Sequence, residues 1–224
     1  MQETSKLFDH TKLKRLFNLA ETINHNYSQC DQDIFVLSML NGLRDGTYLE
    51  IGAAWPEHIS NTALLERAFN WSGISVDSWD IYTPMWQSAG RKNQLTLADA
   101  LQVDFNSLLA PLPKTIDYLS IDCDPSDVTW RILQRIPFDT YQFKVITFEH
   151  DCYRFGPEVK LASRKFLQDL GYQLVVNNIS HIGLFVDFED WWVKPELVDA
   201  DRLLAHIDVG DSIKNYKSYL HEFY

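Results

Sequence analysis

Three acidic residues in this chain follow directly after short apolar runs: Asp77 after GISV, Asp99 after LTLA and Asp122 after YLSI. Nearly continuous apolar runs of this kind predict strands of a parallel sheet that is covered on both faces. In an open α/β sheet, ligands bind outside the carboxyl ends of the strands. We therefore expect the three carboxylates to line one ligand site, positioned by the strands that precede them.

A glycine at the end of an earlier run predicts where the ligand lies. The stretch TYLEIGAAWPEHISNTALLE places Gly52 and Ala53 at the end of an apolar run that contains Glu50. Small residues there let a ligand approach the backbone closely. Ser60 is a good N-cap for the helix that follows, and Asn61 comes next to it. We expect the ligand to bind between this glycine loop and the start of the helix.

The spacing of the acids indicates the kind of ligand. Asp77, with Ser78 beside it, follows Gly52 at a distance at which an acid commonly accepts the hydroxyls of a ribose. Asp99, followed by Ala100, is placed to receive the exocyclic amine of an adenine. Together these features predict an adenosine pocket. The alternative, which Gly52 alone would favour, is a plain strand-to-helix turn with an ordinary exposed acid at Asp77.

No phosphate site accompanies this pocket. The dinucleotide fingerprint GxGxxG is absent, since Trp55 and Pro56 stand where its later glycines belong. S-adenosylmethionine is the adenosine cofactor that needs no phosphate site, and Glu50 would suit its cationic amino-acid end. The sequence therefore predicts S-adenosylmethionine as the cofactor.

These motifs resemble, in their order and spacing, those of the FkbM-type methyltransferases, a branch of the class I S-adenosylmethionine-dependent enzymes. The likeness covers roughly residues 27 to 190. The matching motifs are SQ (28–29), QD (32–33), EIGA (50–53), Pro56, SNT (60–62), LE (65–66), NWSG (70–73), LSIDCDPSD (119–127) and VITFEH (145–150). The resemblance implies methyl transfer, usually to a hydroxyl of a sugar or small metabolite.

Two positions depart from the family's pattern. Trp55 is bulky for a cofactor loop, and Asp124-Pro125 replaces Glu-Gly after the fourth strand. We expect Asp124 to cap the next helix, with Pro125 at its first position and Asp127 in its first turn.

A hydroxyl acceptor benefits from a base beside it. Asp122 and His150 are the candidates, because both are predicted at strand ends next to the cofactor, which Asp122 is also expected to contact. The sequence does not decide which of the two removes the proton, and His150 as a locally bonded surface histidine is the alternative. Asp122 with Asp124 or Glu149 has no fixed-spacing metal pattern, so we predict no metal site.

The alternation of strands and helices predicts an α/β fold with a mainly parallel sheet. The resemblance implies that this sheet is doubly wound and seven-stranded, of the class I methyltransferase, Rossmann-like type. Strands are expected at 47–53, 73–77, 94–100, 116–122, 143–150, 172–178 and 183–187, the last two forming a hairpin. Core helices are expected at 61–69, 82–89, 127–136 and 157–170.

We expect a single domain, 1–224, with helical segments on either side of the core. Two helices within 8–43 form an N-terminal cap (1–43), the Rossmann-like core spans 47–190, and helices near 195–205 and 212–222 form a C-terminal tail (191–224). Gln29, with Gln32 and Asp33, either closes over the cofactor or caps the second helix.

Composition narrows the classes of partner that the protein is expected to bind. The net charge is −11 without a clustered basic patch, so we expect a small-molecule or sugar acceptor and no nucleic acid. No apolar run is long enough for a membrane span, and no leader is recognisable. The three cysteines are scattered, which favours a reducing, cytoplasmic location. The sequence leaves open whether the protein forms a homo-oligomer.

Two other functions also stay open. A nicotinamide-dependent oxidoreductase would use a similar fold, but the second and third glycines of its fingerprint are missing. A nucleoside-binding module that has lost catalysis is the other, and Trp55 and Asp124-Pro125 favour it.

Overall fold

From residue 5 to the main sheet, the chain forms one α-helix and a small ribbon. The computed structural model describes residues 5–180 and 185–222. It begins with two paired strands and a helix: β1 (Lys6–Leu7), β2 (His25–Asn26) and α1 (Gln32–Met39). The prediction of the first of two N-terminal helices is wrong. Only single 3-10 turns lie there, Leu16 is exposed, and Leu19 has a left-handed φ of 67° that an α-helix does not tolerate.

The main sheet has eight strands among the described residues. In chain order they are β3 (Thr47–Ile51), β4 (Ser72–Asp77), β5 (Leu95–Leu97), β6 (Thr115–Ile121), β7 (Gln142–Glu149), β8 (Gln173–Ser180), β9 (Glu189–Val193) and β10 (Lys214–Asn215). Their spatial order is β10-β8-β9-β7-β6-β3-β4-β5, and only β9 runs antiparallel to its neighbours. The expected mainly parallel α/β sheet is confirmed, with eight strands instead of seven because β10 extends one edge.

Helices cover both faces of this sheet. They are α2 (Ala63–Phe69), α3 (Thr83–Ser88), α4 (Phe105–Leu109), α5 (Ser126–Leu133), α6 (Cys152–Phe155), α7 (Glu158–Asp169), α8 (Ala200–His206) and α9 (Tyr216–Leu220). Side chains of α1, α2, α8 and α9 join the core on one face, and those of α4, α5 and α7 join the core on the other. None of the helices in the described ranges combines the length and apolar character that a membrane crossing requires.

The strand that follows β8 lies later than expected. The predicted run 183–187 falls partly outside the described residues, and 185–187 belong to no strand. β9 occupies Glu189–Val193 instead, and all five of its residues are buried. The helical tail expected from residue 191 is therefore wrong in its first residues, because Trp191 and Trp192 lie inside the sheet. A strand that begins with two acids does not look like a buried strand in the sequence.

The strand order reverses beside β3. From β3 the chain continues to β4 on one side, and β6 pairs with β3 on the other side. Such a switch point opens a crevice at the carboxyl edge of a doubly wound sheet. Gly52, Asp77 and Asp122 are the residues at or just beyond the ends of these three strands.

Candidate active site

A pocket of about 410 Å³ lies at the carboxyl edge of β3, β4, β5 and β6. The predicted site residues that line it are Gly52, Asp77, Ser78, Asp99, Ala100 and Asp122. Apolar side chains complete its interior, namely Ile51, Val76, Ala98, Val128 and Ile132. The structure thus brings together the glycine and the three acids that the sequence placed around one ligand.

Gly52 lies where the ends of β3 and β6 approach each other closely. Its φ is +82°, and a Cβ at this position would lie 1.6 Å from the carbonyl oxygen of Asp122. The N–H groups of Gly52 and Ala53 both donate to the carbonyl of Val76, at 3.0 and 3.1 Å. Only glycine fits here, and its backbone is left facing the pocket.

The carboxylate of Asp77 fixes the glycine loop and lines the pocket at once. Its oxygens accept hydrogen bonds from the N–H groups of Ala54, at 2.9 Å, and Trp79, at 2.8 Å. A carboxylate oxygen has two lone pairs, so each one can still accept a ligand hydroxyl. Asp99 accepts from the N–H of Leu101 at 2.9 Å and is exposed at the rim.

Aromatic side chains form one wall of the pocket. Trp55 packs edge-on against Tyr82, with ring centres 5.2 Å apart, and Trp79 stacks on the same tyrosine at 6.4 Å. Trp55 therefore lines the pocket without filling it. The bulk of this residue, which departs from the family pattern, is accommodated in the wall.

Two buried side chains hold the glycine loop from the side away from the pocket. The indole N–H of Trp86 donates to the carbonyl of Ala54 at 2.8 Å. Arg91, whose side chain is fully buried, donates to the carbonyl of Pro56 and pairs with Glu66 at 2.9 Å. The sequence reasoning missed both residues, and a single arginine in a polar turn carries no local pattern that would reveal its burial.

Several predicted cofactor residues lie outside the pocket lining. The buried carboxylate of Glu50 accepts from the hydroxyls of Thr62 at 2.8 Å and Ser75 at 2.7 Å. Burial raises the pKa of Glu50, against the lowering effect of the nearby Arg91. The structure therefore places Glu50 beneath the glycine loop, where its carboxylate binds two protein hydroxyls and does not line the pocket.

The remaining predicted residues support the loop. Ser60 is buried, and its hydroxyl accepts from the N–H of Ala63 at 3.2 Å at the start of α2. Asn61 donates to the hydroxyl of Ser120 at 2.9 Å, and its own amide oxygen is buried without a hydrogen-bond partner. Ala53 is buried, and the segment that holds Gln29 reaches the loop through a bridge between Ser28 and Ile59, but neither residue lines the pocket.

The structure does not bring His150 into the pocket. Its side chain is fully buried; Nδ1 accepts from the N–H of Cys152 at 3.2 Å, and Nε2 lies 3.5 Å from Asp190. Arg164 binds the same carboxylate at 2.7 Å. Burial alone would raise the pKa of Asp190, but the nearby imidazole of His150 and the hydrogen bonds from Arg164 hold it below its usual range. This geometry supports an anchoring role for His150 and not its expected role as a base.

Asp122 is the acid that lines the end of the pocket formed by β6. Burial raises its pKa to about 6, and the nearby carboxylates of Asp151 and Asp124 act in the same direction, whereas a hydrogen bond with Glu149 lowers it. A carboxylate with such a pKa is mostly ionised at neutral pH and is still a competent base.

The expected cap at Asp124 is wrong. Pro125 occupies the N-cap position of α5, without a side-chain hydrogen bond, and Asp127 lies in the first turn as expected. Asp124 is exposed and instead pairs with Arg154 at 2.9 Å, and Arg154 also pairs with Asp151 at 3.1 Å. Within the described residues, no group of three or more His, Cys, Asp or Glu side chains is arranged to hold a metal ion.

Comparison with known proteins adds information on the fold. No protein-family model matches the chain, and no curated protein matches its sequence. The chain is similar to an S-adenosylmethionine-dependent methyltransferase from Clostridium acetobutylicum ATCC 824, with a TM-score of 0.50, 11% identity, and coverage of 74% of this chain and 90% of that one. It is also similar to a candidate rRNA methylase from Clostridium thermocellum, with a TM-score of 0.51, 10% identity, and coverage of 74% and 95%. This chain has the mixed α/β, Rossmann-like fold of the class I S-adenosylmethionine-dependent methyltransferases.

Proposed function

We propose that the protein is an S-adenosylmethionine-dependent O-methyltransferase of the FkbM-like type, acting on a hydroxyl of a sugar or small metabolite. The observation that carries this proposal is the charge of the pocket. Every charged side chain in its lining is a carboxylate: Asp77, Asp99, Asp122 and Asp124.

This set of groups fits S-adenosylmethionine better than a dinucleotide. Carboxylates attract the sulfonium and ammonium charges of S-adenosylmethionine, and they repel the phosphates of a nicotinamide cofactor. The apolar side chains between the acids suit an adenine ring.

Each lining residue has a role in this proposal. Bound S-adenosylmethionine supplies an electrophilic methyl group. Gly52 allows close backbone approach, Asp77 accepts the ribose hydroxyls, and Asp99 with Ala100 borders the adenine. Asp122 orients the acceptor hydroxyl and receives its proton, and positioning of this kind supplies a large share of the rate in a displacement reaction.

The acceptor class follows from the same charges. One of the similar structures is described as a candidate rRNA methylase. In this chain the net charge of −11 and the acidic lining oppose a phosphate backbone. We therefore favour a neutral small acceptor over RNA.

Isothermal titration calorimetry tests the cofactor first. We expect S-adenosylmethionine and S-adenosylhomocysteine to bind, and NAD and NADP not to bind. A panel of sugars and small hydroxylated metabolites, with a short RNA as comparison, is then assayed for transfer of a labelled methyl group. Binding of NAD in preference to S-adenosylmethionine, or methylation of RNA alone, would contradict the proposal.

A further inference from the structure

Three acidic side chains lie next to one another on one face of the sheet. Ile121 pairs with Phe148 in the parallel β6–β7 ladder, so the next residues along, Asp122 and Glu149, are neighbours. Glu149 in turn lies directly opposite Glu189 in the antiparallel β7–β9 ladder. Neighbouring strands are about 4.8 Å apart. A row of carboxyl groups, defined here as Asp122, Glu149 and Glu189, therefore leads from the pocket into the protein.

The row is connected to the surface through Asp151. The sheet register places Glu149 beside Asp122, Asp151 follows two residues after Glu149, and the carboxylates of Asp122 and Asp151 add to the effect of burial in raising the pKa of Glu149. Asp151 is paired with Arg154, whose side chain is 45% exposed. Neighbouring carboxyl groups that are removed from water disfavour a second negative charge, so such a pair retains a proton. This arrangement indicates a proton-bearing path from Asp122 through Glu149 to Asp151.

The far end of the row is closed. Glu189 is 3% exposed, and its oxygen accepts a hydrogen bond from the side-chain amide of Gln32 on α1 at 2.8 Å. A proton that enters the row is therefore expected to leave through Asp151 and not through Glu189.

Methyl transfer to a hydroxyl leaves one proton to be removed. The new C–O bond forms as the S–CH₃ bond of the sulfonium breaks, the sulfur keeps the electron pair, and the hydroxyl proton is released. A carboxylate that bonds the hydroxyl takes this proton directly.

We propose that Glu149 is a positioning residue for this reaction, sharing the proton that Asp122 removes from the acceptor and passing it to Asp151. This inference rests on the proposed function. Asp122 touches the acceptor, and Glu149 acts only through Asp122. The sequence reasoning considered Glu149 only as a metal ligand.

Other charged or titratable groups facing the row are Glu50 on β3, Tyr118 on β6, Asp124 after β6, Tyr153 and Arg154 on α6, and Cys30 before α1. All of these except Arg154 are carboxyl, phenol or thiol groups, so the surroundings favour a retained proton. Burial raises the pKa of Glu149 well above its usual range, with Asp122 as the next cause, and raises the pKa of Glu189 to about 8.

The first test uses the protein without ligand. Infrared difference spectra at pH 7 compare the parent with Glu149→Gln and with Glu196→Gln, a control whose exposed carboxylate pairs with Lys194. We expect the parent-minus-Glu149→Gln spectrum to show a protonated carboxyl band, and the control spectrum to show none. Absence of the band for Glu149→Gln would overturn the proposal.

The second test separates proton handling from binding. In Glu149→Gln we expect kcat to fall at least tenfold and cofactor affinity by calorimetry to stay within twofold. The acid limb of the kcat–pH profile should move to higher pH, because the interaction with Glu149 lowers the pKa of Asp122. An unchanged kcat and profile would overturn the relay. If Glu149→Gln does not fold, Asp151→Asn, at the outer end of the path, must show the same fall in kcat.

The two proposals fail in different ways. A parent protein that binds no S-adenosylmethionine removes the proposed function but leaves the infrared band to report the shared proton. A parent that methylates normally and whose Glu149→Gln variant matches it in every readout removes only the relay.

Discussion

The guanidinium carbon of Arg91 lies 4.6 Å from the centre of the Trp86 ring, and the two side chains together bond both halves of the glycine loop. Trp86 holds the carbonyl of Ala54, and Arg91 holds that of Pro56. Neither residue lines the pocket. The shape of the pocket therefore depends on a pair of side chains that would never touch the ligand.

We expect Arg91→Lys to weaken both stability and cofactor binding. Lysine keeps a charge for Glu66 but lacks the planar fork that also reaches the carbonyl of Pro56 and the hydroxyl of Thr62 at 2.9 Å. Disrupting such a buried network costs about 3 kcal/mol. Thermal unfolding measures the loss, and calorimetry should show at least a tenfold fall in affinity for S-adenosylmethionine. Arg131→Lys, at an exposed position on α5, is the control. Equal affinity in both variants would disprove the loop's dependence on Arg91.

Substitution of Gly52 should be far more harmful than substitution of another left-handed glycine. Gly90 has φ +64° and open space around a Cβ, so Gly90→Ala tests the backbone strain alone, which is about 1–2 kcal/mol. Gly52→Ala adds the clash with the carbonyl of Asp122, so we expect a greater loss of stability and no detectable cofactor binding. Denaturant unfolding and calorimetry compare the two variants, and similar results for both would show that the strand ends can separate.

Asp77→Asn should lower cofactor affinity without unfolding the chain. The amide can replace only one of the two carboxylate oxygens that accept from Ala54 and Trp79, because its nitrogen is a donor. A lost hydrogen bond to a charged group is worth about 1.5–3 kcal/mol, so we expect a 10- to 100-fold weaker Kd. Asp80→Asn, three residues further on and exposed, is the matched control. An Asp77→Asn variant that binds like the parent would remove Asp77 from the site.

Glu189 should make the protein less stable as pH rises. Burial raises its pKa from 4.5 to about 8, so the folded state binds this proton more tightly than the unfolded chain does. Between these two values unfolding releases the proton, and stability falls by at most about 1.4 kcal/mol per pH unit. Glu189→Gln keeps an oxygen that accepts from Gln32, and it should flatten this slope. We therefore expect the variant to be more stable than the parent at pH 8 but not at pH 4. Parallel slopes in urea titrations at several pH values would contradict the assignment.

His150→Gln should separate anchoring from catalysis. Glutamine can still accept from the N–H of Cys152 or donate to Asp190, but it does not match the rigid geometry of the imidazole. We expect a stability loss of about 1–3 kcal/mol, typical of a disturbed buried hydrogen bond, with kcat within threefold of the parent. A large loss of kcat in a stable variant would restore His150 as the base.

The ends of the strands could be predicted from sequence, because an apolar run followed by an acid is a local pattern. For this reason the sequence alone places Asp77, Asp99 and Asp122 at one edge of the sheet. The face on which a side chain lies could not be predicted. Glu149 and His150 are consecutive, and neighbouring residues at the end of a strand point to opposite faces. Only the packing of β9 and α7 shows that Glu149 faces the row and His150 faces Asp190.

The errors at the two ends of the chain have a similar cause. Apolar spacing within 8–43 predicted two helices, yet Leu19, in the first of them, is left-handed and the chain turns there. The acids that open β9 concealed a buried strand, because each is satisfied by a distant partner, Gln32 for Glu189 and Arg164 for Asp190. Contacts so remote in sequence leave no trace in a local pattern.

The position of β9 has a consequence for synthesis on the ribosome. β8 reaches β7 only through β9, which is made later. Residues 173–180 therefore leave the exit tunnel with no partner on the growing sheet and must wait until residue 193 has followed them. β4, β5, β6 and β7, in contrast, each pair with a strand that has already been made. The nascent chain thus carries an unpaired strand edge for a time, which is the stage at which such chains need protection from aggregation.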